Sequence, residues 1–180
     1  MNKDSNPDDL ISDSELIYSS EEVNEAINKI AEQITSELSD KVPLVMCVMG
    51  GAVFFSGQLL PKLNFPLEFD YVQASRYHNQ TQGMELIWKV EPRENVKGRT
   101  VLLLDDILDE GHTLAAIKSK CLARGAANVI IAVLVEKDLE ISKPIKADFV
   151  GLKVPNRYVF GCGMDAFGWW RNLPSIRALK

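Results

Sequence analysis

The spacing of apolar residues divides the chain into two recurring patterns. Val23, Ile27, Ile30, Ile34 and Leu38 recur every three or four positions, which is one face of an amphipathic helix running to about Asp40. Ser19-x-x-Glu22 in front of them is a capping-box start signal. Residues 43–49, 100–104, 128–135 and 149–152 are short, almost wholly apolar runs, the pattern of strands covered on both faces. Residues 67–74 read as another strand, 84–90 alternate weakly as an edge strand, and 158–162 as a short last one. Residues 52–60 and 113–123 read as helices, the second with Leu114, Ile117, Cys121 and Leu122 inward and Gly125 closing it. Strands alternating with helices predict an open α/β domain with a mostly parallel sheet.

Two stretches fall outside these patterns. Residues 76–83 are polar and lie between two strands, so they predict a mobile flap over a site. Residues 1–18 read as an acidic tail in front of a single domain, 19–180. The net charge is −5, but residues 1–22 hold one Lys and seven Asp or Glu, so the remainder is nearly neutral. A nucleic-acid partner would need a basic stripe, and none is visible. A chain of 180 residues that is 46% hydrophobic fits one domain with a sizeable core. No apolar run is long enough for a membrane span, and the polar N-terminus does not read as a signal peptide. Three widely spaced cysteines (Cys47, Cys121, Cys162) argue against a disulfide scaffold and predict a cytoplasmic location.

The candidate chemistry lies in Val101-Leu-Leu-Leu-Asp105-Asp106-Ile-Leu-Asp109-Glu110-Gly111-His112-Thr113. A buried strand delivers two carboxylates at its C-terminal end, where open α/β sheets bind ligands. The loop that follows starts a helix, so it presents free amides to an anion, and Gly111 permits close approach. Carboxylates repel phosphate unless they meet sugar hydroxyls or a bridging Mg²⁺. The combination predicts a phosphorylated sugar with a metal ion.

This run resembles the ribose-phosphate segment of type I phosphoribosyltransferases, and most of all the hypoxanthine-guanine enzymes of purine salvage. The resemblance covers about residues 42–175. It implies the type I fold: a twisted, mostly parallel sheet flanked by helices, a small hood formed by the chain ends, and a flexible active-site loop. Asp105 and Asp106 match the acidic pair for the ribose hydroxyls, although many relatives have Glu at the first position. Asp109 matches the general base near purine N7. Glu110, Gly111, His112 and Thr113 complete the 5′-phosphate loop, with His112 where some relatives have Lys. Met49, Gly50 and Gly51 match the pyrophosphate loop, with Met49 at a position that is often Lys and a peptide that is cis in some relatives. Arg171 matches a late arginine that meets pyrophosphate.

Lys137 matches the donor to purine O6, Tyr158 the ring stacked on the purine, and Val159 the adjacent backbone contact. Asp165 matches an acidic residue near a second metal and the purine's exocyclic edge. Ser75, Arg76 and Tyr77 resemble the start of the flexible loop, with Arg76 an extra residue. The resemblance implies Mg²⁺ held by Asp105, Asp106 and Asp165, and 5-phosphoribosyl 1-pyrophosphate plus a 6-oxopurine as substrates. It also implies a dimer or tetramer, with neither nucleic acid nor membrane as partner. A ligand sensor of the same fold, or an enzyme preferring xanthine or another base, are the alternatives. His78 and His112 have no metal-ligand spacing, Cys162 reads as a buried inert thiol, and Trp88, Trp169 and Trp170 read as packing or interface residues.

Overall fold

The structure, a computed structural model, describes residues 6–77 and 85–180. Its central sheet has six strands in the order β4-β3-β2-β5-β6-β7. These are β2 (Leu44–Met49), β3 (Glu68–Tyr77), β4 (Glu85–Val90), β5 (Thr100–Leu108), β6 (Asn128–Lys137) and β7 (Phe149–Val154). All pairs are parallel except β3–β4, and β4 is the edge strand that its weak alternation predicts.

Alternation along the strands sends side chains to opposite faces. Val45, Leu102, Leu104 and Leu134 pack with α2 (Ser20–Leu38) and α3 (Val53–Leu59). Met46, Leu103, Ile131 and Val133 pack with α4 (His112–Ala123) on the other face. The predicted stripe of α2 is buried throughout. Each such Ile or Leu contributes about 1.5–3 kcal/mol of transfer free energy. Both halves of the Ser19–Glu22 capping box form, at 3.3 and 2.8 Å. No described helix is long and apolar enough to cross a membrane.

Three expectations change. β3 runs on to Tyr77, and β5 to Leu108, because ladder partners on β4 and β6 extend them. The short strand near 158–162 is β8 (Val159–Phe160) and lies outside the main sheet. It joins a three-stranded antiparallel sheet, β1-β9-β8, with β1 (Ser14–Tyr18) and β9 (Ile176–Leu179). This is the hood formed by the chain ends.

Residues 7–18 are therefore folded, and the tail expectation is corrected there. They form α1 (Pro7–Ser12) and β1, with the Asn6 side chain capping α1. Asp8 and Asp9 occupy the first turn of α1, where acids suit the positive end of the helix. Leu10 is buried against Phe160 and Ala166. The acids had suggested solvation, but they mark a helix start with one apolar anchor.

Candidate active site

The site lies across the C-terminal ends of β2, β5 and β6. Asp105 and Asp106 sit inside β5 rather than beyond it, with Asp105 paired to Val133 and Ile107 to Val135 on β6. Their carboxylates accept from neighbouring backbone amides: Asp105 from Asp106 N–H at 3.0 Å, and Asp106 from Ile107 N–H at 2.8 Å. Burial pushes both carboxyls above the usual range, and the adjacent Asp106 charge adds to this at Asp105. The Arg171 charge works in the opposite sense on Asp106.

Two glycines shape the surroundings. A Cβ on Gly51 would lie 1.9 Å from the Asp106 carboxylate, so only glycine lets the loop after β2 approach it. Gly111 has φ +86° and turns the chain into α4, whose N-terminal end carries the positive pole of the helix toward the site. The Met49–Gly50 peptide is cis. A cavity of about 290 Å³ brings together Met49, Gly50, Gly51, Asp105, Asp106, Asp109, Gly111, Thr113 and Arg171. Glu110 faces a neighbouring opening beside Asp138, and His112 is exposed and off this cavity.

A second cavity of about 300 Å³ adjoins the first through Asp106, Ile107, Asp109 and Arg171. It adds Lys137, Tyr158, Val159 and Asp165. Lys137 Nζ donates to Asp109 Oδ2 at 2.7 Å, joining the ends of β5 and β6. The half-exposed Tyr158 ring stacks on Phe167, with centroids 5.5 Å apart and planes 14° from parallel. Asp165 accepts from Arg171 on one oxygen and from Gly168 N–H at 2.8 Å on the other. Arg171 also donates to the Gly163 carbonyl at 2.6 Å. The arginine and acid expected to meet separate partners are thus bonded to each other, a charge-assisted pairing.

Ser75, Arg76 and Tyr77 are strand rather than loop, laddered to β4 at Ile87, Leu86 and Glu85. Residues 78–84 of the expected flap, His78 among them, lie outside the described residues. Cys162 is fully buried and its thiol is pushed up to about 12, which fits an inert packing role. Trp170 donates to the Pro7 carbonyl at 2.7 Å inside the hood, while Trp169 stays half-exposed.

Among the described residues, no three His, Cys, Asp or Glu side chains converge as a self-sufficient metal site. The Asp105–Asp106 pair instead fits a metal shared with a phosphorylated ligand. Mg²⁺ is typically bound through one or two carboxylates plus substrate phosphates, and two adjacent buried acids favour a divalent cation beside them.

Phe167, Met164 and Lys143 were not legible as site residues. Phe167 and Met164 lie in an irregular glycine-rich stretch with no periodic signal. Lys143 lies in the loop between β6 and β7, with its ammonium largely buried against Leu108 and Lys137 carbonyls.

Residues 14–166 match the phosphoribosyl transferase domain family. The chain is 34% identical over 166 residues to the hypoxanthine-guanine-xanthine phosphoribosyltransferase of Tritrichomonas foetus, covering 92% of this chain and 91% of that one. It is 34% identical, over 92% of both chains, to the hypoxanthine-guanine phosphoribosyltransferase of Bacillus subtilis. Among solved structures, a hypoxanthine phosphoribosyltransferase from Staphylococcus aureus superposes with a TM-score of 0.83 at 26% identity, covering 94% of each chain. The mostly parallel sheet flanked by helices agrees with this match, and the chain belongs to the phosphoribosyl transferase domain family.

Proposed function

We propose that the protein transfers the 5-phosphoribosyl group of 5-phosphoribosyl 1-pyrophosphate to N9 of hypoxanthine or guanine, releasing pyrophosphate and forming IMP or GMP. The observation that carries this reading is the Asp109–Lys137 pair at 2.7 Å, with Asp109 lining both cavities and Lys137 the second. It sets an acceptor beside a donor. A 6-oxopurine protonated at N7 offers the complement: its N7–H to Asp109 and its O6 to Lys137. Lysine has three donors and no acceptor, so Lys137 can hold Asp109 and O6 together but cannot receive the amino group of adenine.

The phosphate loop around Gly111 and Thr113 would take the 5′-phosphate at the N-terminal end of α4, and the Met49–Gly51 turn the pyrophosphate. Asp105 and Asp106 would hold the ribose hydroxyls and the Mg²⁺ that comes with pyrophosphate. That ion would neutralise the leaving charge. Asp165 would take a second ion, and Arg171 bonded to it would meet pyrophosphate.

In the reaction the C1–O bond to pyrophosphate breaks and the C1–N9 bond forms, while the N7 proton passes to Asp109. C1 becomes cation-like, so water must be kept out of the site. Tyr158 would cover one face of the purine, and Val159 would contact its edge through the backbone.

The Tritrichomonas relative's name includes xanthine, which makes xanthine the third base to offer. The test is an assay with phosphoribosyl pyrophosphate and Mg²⁺, offering hypoxanthine, guanine, xanthine and adenine in turn. Turnover of an oxopurine with adenine inert is expected. Binding of phosphoribosyl pyrophosphate with no turnover of any base would make the protein a sensor or assign it another acceptor. We place its action in the cytoplasm, as a dimer or tetramer, which sedimentation would read.

A further inference from the structure

Lys143 belongs to no strand or helix, yet its ammonium is deeply placed, with the side chain 11% exposed. It donates to the Lys137 carbonyl at 2.6 Å, to the Leu108 carbonyl at 3.2 Å and to the Glu136 carboxylate at 3.4 Å. These three bonds use all three donors of a lysine. Two of the acceptors are backbone groups at the last residues of β6 and β5.

The location matters more than the count. Leu108 immediately precedes Asp109, and Lys137 carries the side chain that bonds Asp109. The ends of β5 and β6 are therefore bridged twice. Once is by the side chains of Lys137 and Asp109, facing the cavity, and once is from beneath, by Lys143. The same segment reaches the phosphate loop: a Cβ on Gly111 would lie 3.1 Å from Ile145 and 3.6 Å from Pro144. The backbone beneath Asp109 and Lys137 thus rests on a brace from the β6–β7 loop. The carbonyls at these two adjacent strand ends both accept from the one buried ammonium.

We propose that Lys143 is a positioning residue for base recognition, holding the backbone of Leu108 and Lys137 so that Asp109 and Lys137 keep the spacing that reads a 6-oxopurine. This rests on the purine reading above. It makes Lys143 a determinant of purine affinity that touches neither substrate. Displacing such a pair by a fraction of an ångström loosens the recognition of both N7–H and O6 at once.

The test is steady-state kinetics of Lys143→Met and Lys143→Arg in the full chain. Lys143→Met is expected to raise KM for hypoxanthine about tenfold or more, with KM for phosphoribosyl pyrophosphate changed by less than about twofold. Lys143→Arg, which keeps the charge and several donors, is expected to recover most of the purine KM. If Lys143→Met does not fold, Lys143→Gln, which keeps two donors without charge, reads the same split. A purine KM unchanged in the folded variant overturns the proposal. So does an equal rise in both KM values, or a fall in thermal stability with both unchanged, since either marks a merely structural lysine. Absence of oxopurine turnover in the unmutated protein would instead sink the purine reading, so the two failures are distinct.

Discussion

The two halves of the site are built from different materials. The half proposed to hold phosphate is backbone and buried acid: Asp105 and Asp106 lie inside a strand, Gly51 is pressed against Asp106, and Gly111 turns the chain into α4. The half proposed to read the base is assembled from side chains on separate elements: Asp109 after β5 is ion-paired to Lys137 on β6, and Tyr158 in the hood is stacked on Phe167. The backbone half tolerates almost no change in shape. The side-chain half can be altered one group at a time, which suits it to set which base is accepted.

Four changes sharpen that contrast. Asp109→Asn removes the proton acceptor but keeps the shape. Turnover should fall about 10²–10⁴-fold while binding of phosphoribosyl pyrophosphate, read by calorimetry, stays close to normal. Turnover near the unmutated rate would remove Asp109 from its role. Gly51→Ala places a methyl 1.9 Å from the Asp106 carboxylate, so the loop or the acid must move. Binding of phosphoribosyl pyrophosphate should drop about 10²-fold, as expected for a misplaced positioning group, with the base half unperturbed in direct purine binding. Normal binding of the sugar substrate would show that the close approach is dispensable.

Lys137→Ala leaves purine O6 and Asp109 without their donor. The efficiency with hypoxanthine should fall by about 1.5–3 kcal/mol, the worth of a hydrogen bond to a charged group, and discrimination against adenine should narrow. An unchanged base preference would move recognition elsewhere.

The smallest effect is on stability. Burial raises the folded-state pKa of Asp105, so its contribution is fully present at low pH and is lost as pH rises through that raised value. Asp105→Asn removes this loss. The unliganded variant should melt higher than the parent at neutral pH, by about 2–4 °C for each kcal/mol relieved, with the gap closing under acid. A lower melting temperature at neutral pH would show that the buried acid is compensated within the protein.

The local patterns carried the central sheet. Strand and helix periodicity located α2, α3, α4 and the six main strands, because each is a contiguous run with its own apolar signal. They misjudged where β5 ends, since two aspartates are poor strand formers; pairing with β6 carries the ladder past them. The ladder joining β1 to β9 escaped notice because its partners lie far apart in sequence and each is short. Lys143 escaped for a related reason. Nothing in Ser142-Lys143-Pro144 differs from an exposed loop, and only the approach of Leu108 and Lys137 gives its charge a task. Site residues on strand ends were legible through the resemblance of their motif, whereas the contacts between them, above all Arg171 with Asp165, depend on how the hood closes.

The hood sheet also imposes an order of events during synthesis. β9 is the middle strand between β1 and β8, and it is made after both of them. Every strand of the main sheet precedes residue 155, so the surface with Gly51, Asp105, Asp106 and Gly111, proposed above for the sugar phosphate, can form while the chain is still emerging. The first strand of the hood waits for the last, and the mount that carries Tyr158 and Asp165 is completed only when residues 176–179 arrive. A growing chain would thus gain its grip on the sugar before it gains its choice of base.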